Sequence, residues 1–453
     1  MQPLPKEFEE QMKRLLGEAG FFAYLDALNQ PYTRALRVNL LLRPDGTPPC
    51  SIEGLGAPVP WAKGAYFVEG DARPGLSPLH EGGLFYMQEP SALTAVTALD
   101  PQPGERVLDL CAAPGGKSTQ IAALMAGRGL LCCNEPIPSR AQILSRNIER
   151  MGVRNAVVLS AMPDALAPCF PAFFDRILVD APCSGEGMFR RQPEARDEWD
   201  ADAPRRCADR QMEILAQAAK MLRPGGTMVY STCTFNDTEN EGVLRRFLAL
   251  HPEFSLVPFA LPGLPEAKDG YLHLYPHEMR GEGHFVSRLK KADGADEADA
   301  PVQAAPQRKA PARAAAKGKA PASIALPDVF SDAFAPERLY TAGDALWMLP
   351  EGISIERLSG LRVLRTGLLL AHAEGKRSEP DHALAMALRP EEAARTASLT
   401  QTQALAYQAG ETLSLGDLPG GYTLLCCEGV SLGWGKQAGG LMKNHYPKGL
   451  RRR

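Results

Sequence analysis

The sequence predicts an α/β protein built around a doubly wound, mostly parallel sheet of the Rossmann type, preceded by a small α+β domain and followed by a compact C-terminal domain. Three observations predict this fold class. Between residues 76 and 290, short β-rich runs alternate with helical patterns, as they do in doubly wound sheets. The chain has 453 residues, of which 45% are hydrophobic, enough for more than one core. Residues 291–323 contain almost nothing apolar larger than alanine and therefore divide the chain.

The first region, residues 1–75, begins with a helical pattern over residues 8–28. It continues with an alternation of apolar and polar residues over 36–42 that is typical of a strand. We therefore expect a small α+β domain at the front of the chain.

The second region, residues 76–290, carries the parallel sheet. Its predicted strands are 107–110, 130–133, 157–159, 176–179, 228–230 and 284–289. Helical patterns separate most of these strands, which favours right-handed crossovers and a parallel arrangement.

The rest of the chain divides into a linker and a C-terminal domain. Residues 291–323 are rich in Ala, Pro, Lys and Arg and predict a flexible basic linker. Residues 324–453 regain aromatic and aliphatic residues, and strand-like runs at 362–370 and 422–426 lie between Gly-rich turns. This pattern predicts a compact appended domain.

Charge and cysteine usage limit the classes of function. The net charge of -3 gives no global attraction to nucleic acid, so contacts with a polyanion must come from local basic clusters. No apolar run of about 18 residues and no signal peptide is present, which predicts a cytoplasmic protein without a membrane segment. None of the ten cysteines forms a CxxC pair, so we expect free thiols and no metal site.

A loop of small residues follows the first strand of the sheet. The segment Cys111-Ala112-Ala113-Pro114-Gly115-Gly116-Lys117 leads into a helical pattern at 119–125, and small side chains there let a ligand approach the backbone. It matches neither the P-loop nor the GxGxxG pattern. Glu135 follows the second strand, where a carboxylate can accept hydrogen bonds from ribose hydroxyls. These features predict a nucleoside cofactor without distinguishing one from another.

Two cysteines follow two other strands of the sheet. Cys183 lies in VDAPCSGEG and Cys233 in VYSTCT, each just past a predicted strand end. The carboxyl ends of adjacent central strands form the binding crevice of such a sheet, so both thiols are expected at one site. Cysteine is more often a packing residue, and Cys132, Cys133, Cys426 and Cys427 fit that alternative because they lie inside strand-like runs.

Together, LDLCAAPGGKS, VDAPCSGEGMFRR and YSTCTFNDTENEGVL resemble the Sun (Fmu) type RNA 5-methylcytosine methyltransferases. The resemblance covers the chain from the front domain to the end. It is most specific for the RsmF-like branch, whose members act on 16S rRNA and carry a C-terminal PUA-like RNA-binding domain. That domain ends in a segment like GWGK and KNHYPKGLR of this chain.

The resemblance implies S-adenosylmethionine as cofactor, held by the loop from Cys111 to Lys117, by Glu135 and by Asp180. It implies that Cys233 adds to carbon 6 of cytosine and that Cys183 assists removal of the carbon 5 proton and release of the product. Asp180 would bind the base near ring nitrogen 3 or the exocyclic amine, where a protonated or proton-sharing carboxyl would stabilise the adduct. Lys117 would lower a thiol pKa or bind polar ligand atoms.

One segment departs from the family pattern. Family members often carry a polar residue after the third strand, near the adenine of the cofactor, whereas this chain has Ser160-Ala161-Met162-Pro163-Asp164. Whether Asp164 or Met162 contacts the adenine is left open.

RNA binding is expected from basic residues with aromatic residues between them. The last 24 residues contain the basic residues Lys436, Lys443, Lys448, Arg451, Arg452 and Arg453, interleaved with Trp434, His445 and Tyr446, which suits phosphate contacts and stacking on unpaired bases. Further basic residues are Arg34, Arg37, Arg43, Arg308, Lys309, Arg313, Lys317 and Lys319. The target cytosine must be flipped out or unpaired because its carbon 5 is inaccessible in a stacked helix.

The expected partner is ribosomal RNA in or near the small ribosomal subunit, with the protein acting as a monomer. Transfer RNA is the alternative substrate. Two alternative classes of protein are a non-catalytic ribosome assembly factor and a DNA cytosine methyltransferase. The retention of both thiols argues against the assembly factor. The additional Thr-Cys-Thr motif argues against the DNA enzyme.

Overall fold

The computed structural model describes residues 3–294, 329, 338–374 and 377–451. The predicted linker at 291–323 lies outside the described residues from position 295 onward. The linker residues Arg308, Lys309, Arg313, Lys317 and Lys319 therefore also lie outside the described residues.

The front region contains a helical stretch that is kinked at Gly17, where φ is 69° and ψ is 173°, and a four-stranded antiparallel sheet. Its elements are α1 (Lys6–Leu28), β1 (Arg34–Val38), β2 (Leu55–Pro58), β3 (Ala65–Val68), α2 (Pro78–Glu81) and β4 (Phe85–Gln88). The strand order is β2-β3-β1-β4. Because β4 belongs to this sheet, the front sheet extends to Gln88, beyond the predicted boundary at residue 75.

Strand β1 is shorter than the predicted strand at 36–42. It ends at Val38 because the next residue, Asn39, turns the chain. The Asn39 amide donates to the carbonyls of Gly83 and Met151 at 2.9 and 3.0 Å, and its Oδ1 accepts from the Leu41 N–H at 3.1 Å. A side chain that bonds to the local backbone in this way competes with a strand ladder.

The central region alternates helices and strands. Its elements are α3 (Thr94–Leu99), β5 (Arg106–Asp109), α4 (Gly116–Leu124), β6 (Leu130–Asn134), α5 (Pro138–Arg150), β7 (Ala156–Leu159), α6 (Pro163–Leu166), β8 (Phe174–Asp180), α7 (Glu194–Glu198), α8 (Ala203–Met221), β9 (Leu222–Thr232), α9 (Glu241–Leu250), β10 (Phe254–Leu256), β11 (Tyr271–Leu274) and β12 (His284–Lys291). All six strands predicted here are present.

These strands form one mixed sheet. Strands β9, β8, β5, β6 and β7 lie in that order and are parallel, and β12 joins β9 in antiparallel orientation. Both faces are covered, since Leu108 and Val107 of β5 belong to separate apolar clusters. The order along the sheet reverses at β5 and β8, and ligands of doubly wound sheets bind outside the carboxyl ends of strands at that point. The predicted Rossmann-like core is confirmed.

The C-terminal region contains two further small sheets. Its elements are β13 (Leu339–Ala342), β14 (Ala345–Met348), β15 (Val363–Thr366), β16 (Leu368–Glu374), β17 (Arg377–Pro380), α10 (His382–Ala387), β18 (Thr396–Leu399), α11 (Gln401–Ala409), β19 (Gly421–Cys427), β20 (Val430–Ala438) and β21 (Leu441–Asn444). The strand orders are β13-β14-β16-β17 and β18-β19-β20-β21.

The run predicted as one strand at 362–370 is two strands. Gly367, at φ 117°, separates β15 from β16. A Cβ at this glycine would lie 2.2 Å from the Met348 carbonyl oxygen, so both the conformation and the space require glycine. Strand β15 pairs with β7 at the edge of the central sheet, while β16 belongs to the first small sheet. The C-terminal region is thus joined to the core by a shared sheet.

Two aromatic residues expected to stack on RNA bases lie in the interior. Trp434 is 2% exposed and donates its indole N–H to the Asp381 carbonyl at 2.8 Å, and Tyr446 is 3% exposed. They complete the cores of the small sheets, so the stacking role expected for them is wrong. Among the basic residues of this segment, Lys443 and Lys448 are exposed.

Candidate active site

The thiol loops and the small-residue loop meet at the carboxyl ends of β5, β8 and β9. A cavity of about 390 Å³ lies there. Among the residues that line it are Cys111, Ala112, Ala113, Pro114, Gly116, Lys117, Asp180 and Cys233 from the predicted site, and Tyr86, Gln88, Arg191 and His284 from elsewhere. The front strand β4 closes one wall, so the cavity belongs to two regions of the chain.

The two thiols lie next to each other beside the cavity, and Cys233 is one of the residues that line it. The Cys183 and Cys233 sulfurs are 3.3 Å apart. The hydrogen bond to Cys233, followed by burial, raises the pKa of Cys183 well above its usual value. Cys183 therefore keeps its proton in the resting site.

Two buried carboxylates connect the thiol loops, and we call Glu186 and Glu239 the carboxylate brace. Glu186, on the Cys183 loop, accepts from the N–H groups of Phe235 and Asn236 beside Cys233 at 2.8 and 3.1 Å. Glu239, after the Cys233 loop, accepts from the Ser184 N–H at 3.0 Å. Each loop thus carries a carboxylate that binds the other loop, which fixes the position of one thiol relative to the other.

Asp180 is the centre of a small charge network. Its carboxylate accepts from Lys117 Nζ and from the Ser231 hydroxyl, each at 2.8 Å, and His284 Nε2 lies 3.5 Å from its Oδ1. Burial opposes ionisation of Asp180, but Lys117 and His284 outweigh it and hold its pKa below the usual range. Asp180 is therefore ionised in the resting site, unlike the protonated carboxyl considered from the sequence.

The small-residue loop is held from outside the cavity. Arg140 donates to the Ala113 carbonyl at 3.2 Å, Asn147 to the Pro114 carbonyl at 2.8 Å, and Arg37 to the Gly116 carbonyl at 3.2 Å. Arg37 is buried under the loop, so it is not available to RNA phosphate as the sequence suggested. Gly115 has φ 114°, a conformation that favours glycine at the helix start.

The surroundings of the loop fit S-adenosylmethionine. Burial, and then the negative charges of Asp109, Asp180 and Glu135, raise the pKa of Cys111, which places three carboxylates around the loop. A sulfonium, an ammonium and two ribose hydroxyls are groups that such carboxylates bind. Asp109 has a buried Oδ1 without a hydrogen-bond partner among the described residues. Burial raises the pKa of this carboxyl to about 7.

Some predicted cofactor contacts lie apart from the cavity. Glu135 is buried outside its lining, where it accepts from the Ile137 N–H at 3.0 Å and lies 3.4 Å from Arg140 Nη1. Asp164 is exposed, and Met162 is 58% exposed at the start of α6. The ribose role of Glu135 and the adenine contact stay predictions.

Several residues of the site were not found from the sequence. His284 opens a strand that was predicted, directly after the segment Gly281-Glu282-Gly283, but a single histidine there carried no motif. Ser231 precedes the Cys233 motif and looked like part of a strand. Tyr86 and Gln88 lie in a segment assigned to no element, so no sequence signal placed them at the site.

The described part of the chain has no helix that is both long enough and apolar enough to cross a membrane. Within the same residues, no group of three or more His, Cys, Asp or Glu side chains could hold a metal ion.

Four family profiles match successive parts of the chain. The profile described as 16S rRNA methyltransferase RsmB/F matches residues 96–290. The N-terminal domain of 16S rRNA methyltransferase RsmF matches residues 4–90, the first C-terminal domain of RsmF rRNA methyltransferase 327–388, and the methyltransferase RsmF PUA domain 394–452. The C-terminal region predicted as one domain thus corresponds to two profiles.

Curated relatives are similar over nearly the whole chain. Ribosomal RNA small subunit methyltransferase F of Enterobacter sp. (strain 638) is 34% identical over 98% of this chain and 95% of its own length. The proteins of the same name from Erwinia tasmaniensis and Escherichia coli O127:H6 are each 33% identical over 98% of this chain and 96% of theirs.

Solved structures match a little under two thirds of the chain. A methyltransferase homolog from Pyrococcus horikoshii has a TM-score of 0.54 and 30% identity, covering 63% of this chain and 95% of its own. NSun6 from Pyrococcus horikoshii, solved with the S-adenosylmethionine analogue SFG, has a TM-score of 0.56 at 24% identity, covering 64% of this chain and 99% of its own. The latter likeness shows the fold alone.

Proposed function

Because the chain belongs to the RsmB/F family of 16S rRNA methyltransferases, we propose that it methylates carbon 5 of a cytosine in 16S rRNA through a covalent adduct with Cys233. S-adenosylmethionine is the cofactor. The observation that carries the proposal is the pair of sulfurs 3.3 Å apart beside a cavity that also contains an ionised carboxylate. A thiol pair at this place is difficult to attribute to packing.

The chemistry explains why two thiols are present. Carbon 5 of cytosine is a poor nucleophile, and adding a thiolate to carbon 6 turns the ring into an enamine whose carbon 5 can accept a methyl group. Cys233 is the nucleophile because it lines the cavity in which the cytosine would lie. Cys183, beside it, assists removal of the carbon 5 proton once it has lost its own proton to water and become the thiolate, after which the carbon 5–carbon 6 double bond re-forms and Cys233 leaves.

Asp180 and Lys117 act on the reactants through charge. Ionised Asp180 accepts from the exocyclic amine of cytosine, and Lys117 holds the carboxylate in place through its 2.8 Å bond. The cofactor, held by the loop from Cys111 to Lys117, by Glu135 and by Asp180, supplies an electrophilic sulfonium methyl group. The loop's outer contacts with Arg140, Asn147 and Arg37 keep its inner face free for this ligand.

The substrate and setting follow from the family. We propose 16S rRNA in or near the small ribosomal subunit, a cytoplasmic location and a monomeric enzyme. The PUA-like region supplies RNA contacts through exposed lysines such as Lys443 and Lys448, rather than through Trp434 and Tyr446, which are buried.

The test is methyl transfer from radiolabelled S-adenosylmethionine to 30S subunits, naked 16S rRNA and bulk transfer RNA, each offered separately. Cys233→Ala is expected to abolish transfer. Cys183→Ala is expected to accumulate a protein–RNA adduct that survives denaturation. Cys50→Ala, a change at an exposed thiol outside the site, is the matched control and should retain activity.

Label recovered as 5-methylcytosine in 16S rRNA supports the proposal. Label confined to transfer RNA would preserve the chemistry and overturn the substrate. Cofactor binding without transfer to any of these RNAs would contradict the enzymatic proposal, as would full activity of Cys233→Ala.

A further inference from the structure

His284 is a buried histidine at the cavity, and one of its ring nitrogens makes no hydrogen bond among the described residues. It is the first residue of β12 and is 3% exposed. Its Nε2 is buried and has no hydrogen-bond partner among the described residues, although it lies 3.5 Å from Asp180 Oδ1. An unsatisfied buried polar atom is rare and costly, so one that lines a ligand cavity indicates a ligand contact.

The local backbone fixes the position of this ring. Gly283 has φ 106°, and a Cβ there would lie 2.5 Å from the Phe235 ring. Glu282 is held by Arg190 at 2.7 Å and by the Thr33 N–H at 3.0 Å. The segment before His284 is therefore anchored, and the imidazole faces the cavity from an ordered strand end.

Ionised Asp180 cannot both accept a hydrogen bond from cytosine and donate one to it. Two donors, Lys117 and Ser231, already bind its carboxylate, and the environment keeps it ionised. An ionised carboxylate accepts hydrogen bonds and cannot donate one. Cytosine presents a donor, its exocyclic amine, next to an acceptor, ring nitrogen 3, so the site needs a donor beside Asp180.

We propose that His284 is a catalytic residue that donates a proton to ring nitrogen 3 of the target cytosine while Asp180 accepts from the exocyclic amine. This inference rests on the proposed function and adds a residue to it. The reacting state has Cys233 as thiolate and His284 as imidazolium beside Asp180.

The electrons and protons balance around the ring. A lone pair on the Cys233 sulfur forms the bond to carbon 6. The π electrons of the carbon 5–carbon 6 bond then form a double bond between carbons 4 and 5, and the π electrons of the carbon 4–nitrogen 3 bond move onto nitrogen 3. Nitrogen 3 takes the proton of His284, which becomes neutral. When carbon 5 takes the methyl group with the carbon 4–carbon 5 pair, the bond between carbon 4 and nitrogen 3 re-forms and the proton returns to His284. The pair from the broken methyl–sulfur bond stays on the cofactor's sulfur.

The same arrangement selects cytosine over uracil. Uracil places a carbonyl oxygen where cytosine has its amine and an N–H where cytosine has an acceptor. The carbonyl would face the carboxylate of Asp180 and the N–H would face the N–H of His284, and buried unpaired groups of this kind are strongly disfavoured.

The test compares His284→Phe, which keeps a ring without a donor, with His284→Gln, which keeps an amide donor. Steady-state methylation of 16S rRNA is measured with S-adenosylmethionine and RNA varied separately. His284→Phe is expected to lower kcat about 100-fold, the usual range for loss of one general acid, and to leave the KM for S-adenosylmethionine unchanged. His284→Gln is expected to recover little of that loss, because an amide N–H can donate a hydrogen bond to ring nitrogen 3 but cannot give up its proton. His251→Phe, the same change at a histidine outside the cavity, is the control.

Melting temperatures and S-adenosylmethionine binding establish that the variants are folded. Wild-type kcat in folded His284→Phe would overturn the inference while leaving the proposed function intact. Wild-type kcat in folded His284→Gln would also overturn it, because an amide cannot give up a proton to ring nitrogen 3. Absence of cytosine methylation by the wild-type protein would instead refute the proposed function itself.

Discussion

At the scale of single residues, the site depends on charges that are buried together. Lys117 and Asp180 are both largely removed from solvent and lie 2.8 Å apart. Burial alone would favour the neutral form of each group, and their mutual attraction reverses this, lowering the pKa of Asp180 and raising that of Lys117. Neither charge is stable at this place without the other.

Replacing Lys117 tests this coupling. Lys117→Met leaves a buried carboxylate without its cation, and breaking such a pair costs about 3 kcal/mol of unfolding free energy. Adding Asp180→Asn should recover about 2 kcal/mol, because the amide carries no charge to solvate. Denaturant unfolding of the wild type, both single variants and the double variant measures the coupling. Additive losses would show that the two groups do not depend on each other.

At the scale of elements, two loops are aligned by the carboxylate brace rather than by the sheet alone. Glu239 accepts from Ser184, from Gln211 Nε2 at 2.8 Å and from Asn236 Nδ2 at 2.8 Å, so all its partners are donors. An amide in its place would direct two N–H groups at other N–H groups. The brace therefore requires a carboxylate.

Glu239→Gln should separate loop alignment from ligand binding. We expect kcat to fall about 30-fold through misplacement of the thiols, while cofactor affinity stays unchanged because Glu239 does not line the cavity. Kinetics and equilibrium binding measure the two effects. Glu253→Gln, at an exposed glutamate, is the control. A parallel loss of cofactor affinity would contradict a role in alignment.

Helix α10 makes the C-terminal region sensitive to acid. Burial lowers the pKa of His382, its first residue, to about 4, so the folded state keeps this ring neutral. A histidine with a depressed pKa contributes stability above about pH 6.5, and the contribution is lost as pH falls from 6.5 to 4. Full protonation costs about 3 kcal/mol. In His382→Phe, the free energy of unfolding measured with urea should fall less steeply between pH 6.5 and 4 than in the wild type. An equally steep fall would refute the role of His382 in acid sensitivity.

The differences between predicted and observed elements have local causes. The helix at 8–28 and the central strands were predictable because their apolar periodicity is long or repeated. The strand at 36–42 ends early because Asn39 bonds to Gly83 and Met151, residues far away in sequence. The run at 362–370 divides at Gly367, which sequence alone did not distinguish from a glycine inside a strand.

At the scale of the whole molecule, the C-terminal region completes the central sheet. Val363, Arg365 and Thr366 of β15 pair with Leu159, Val158 and Val157 of β7. Arg365, which is almost fully buried, also binds the Glu149 carboxylate of α5. Without β15, β7 would be an exposed apolar edge and Glu149 would lose the cation that it binds.

A chain ending at residue 294 should therefore associate with itself. We expect a lower melting temperature than that of the full chain and light scattering that increases with concentration, because β7 then has free backbone groups along an apolar strand. Arg365→Ala in the full chain, which removes the ion pair but keeps the strand, is the control and should lower stability without aggregation. A monomeric fragment with unchanged melting temperature would show that β15 is dispensable.

The sequence is enough to locate the site but does not reveal all of its residues. Cys183, Cys233 and the loop from Cys111 to Lys117 are found because motifs at strand ends converge in this fold. His284 and Glu239 act through contacts that connect distant segments, and no local pattern reveals them. Trp434 was predicted to stack on RNA bases but is buried. The sequence pattern around an aromatic residue between lysines is the same whether its ring contacts RNA or packs in a core.

Because β15 pairs with β7 but is synthesised much later, the rate of translation affects when the central sheet is completed. Strand β7 is made roughly 200 residues before β15, and at about 5–20 residues per second this interval is roughly 10–40 s. During that time, five parallel strands can assemble while one border of the sheet is uncovered. The rate of translation thus determines how long the apolar edge strand β7 of the nascent enzyme is exposed to neighbouring chains. Pairing of β15 with β7 ends this exposure.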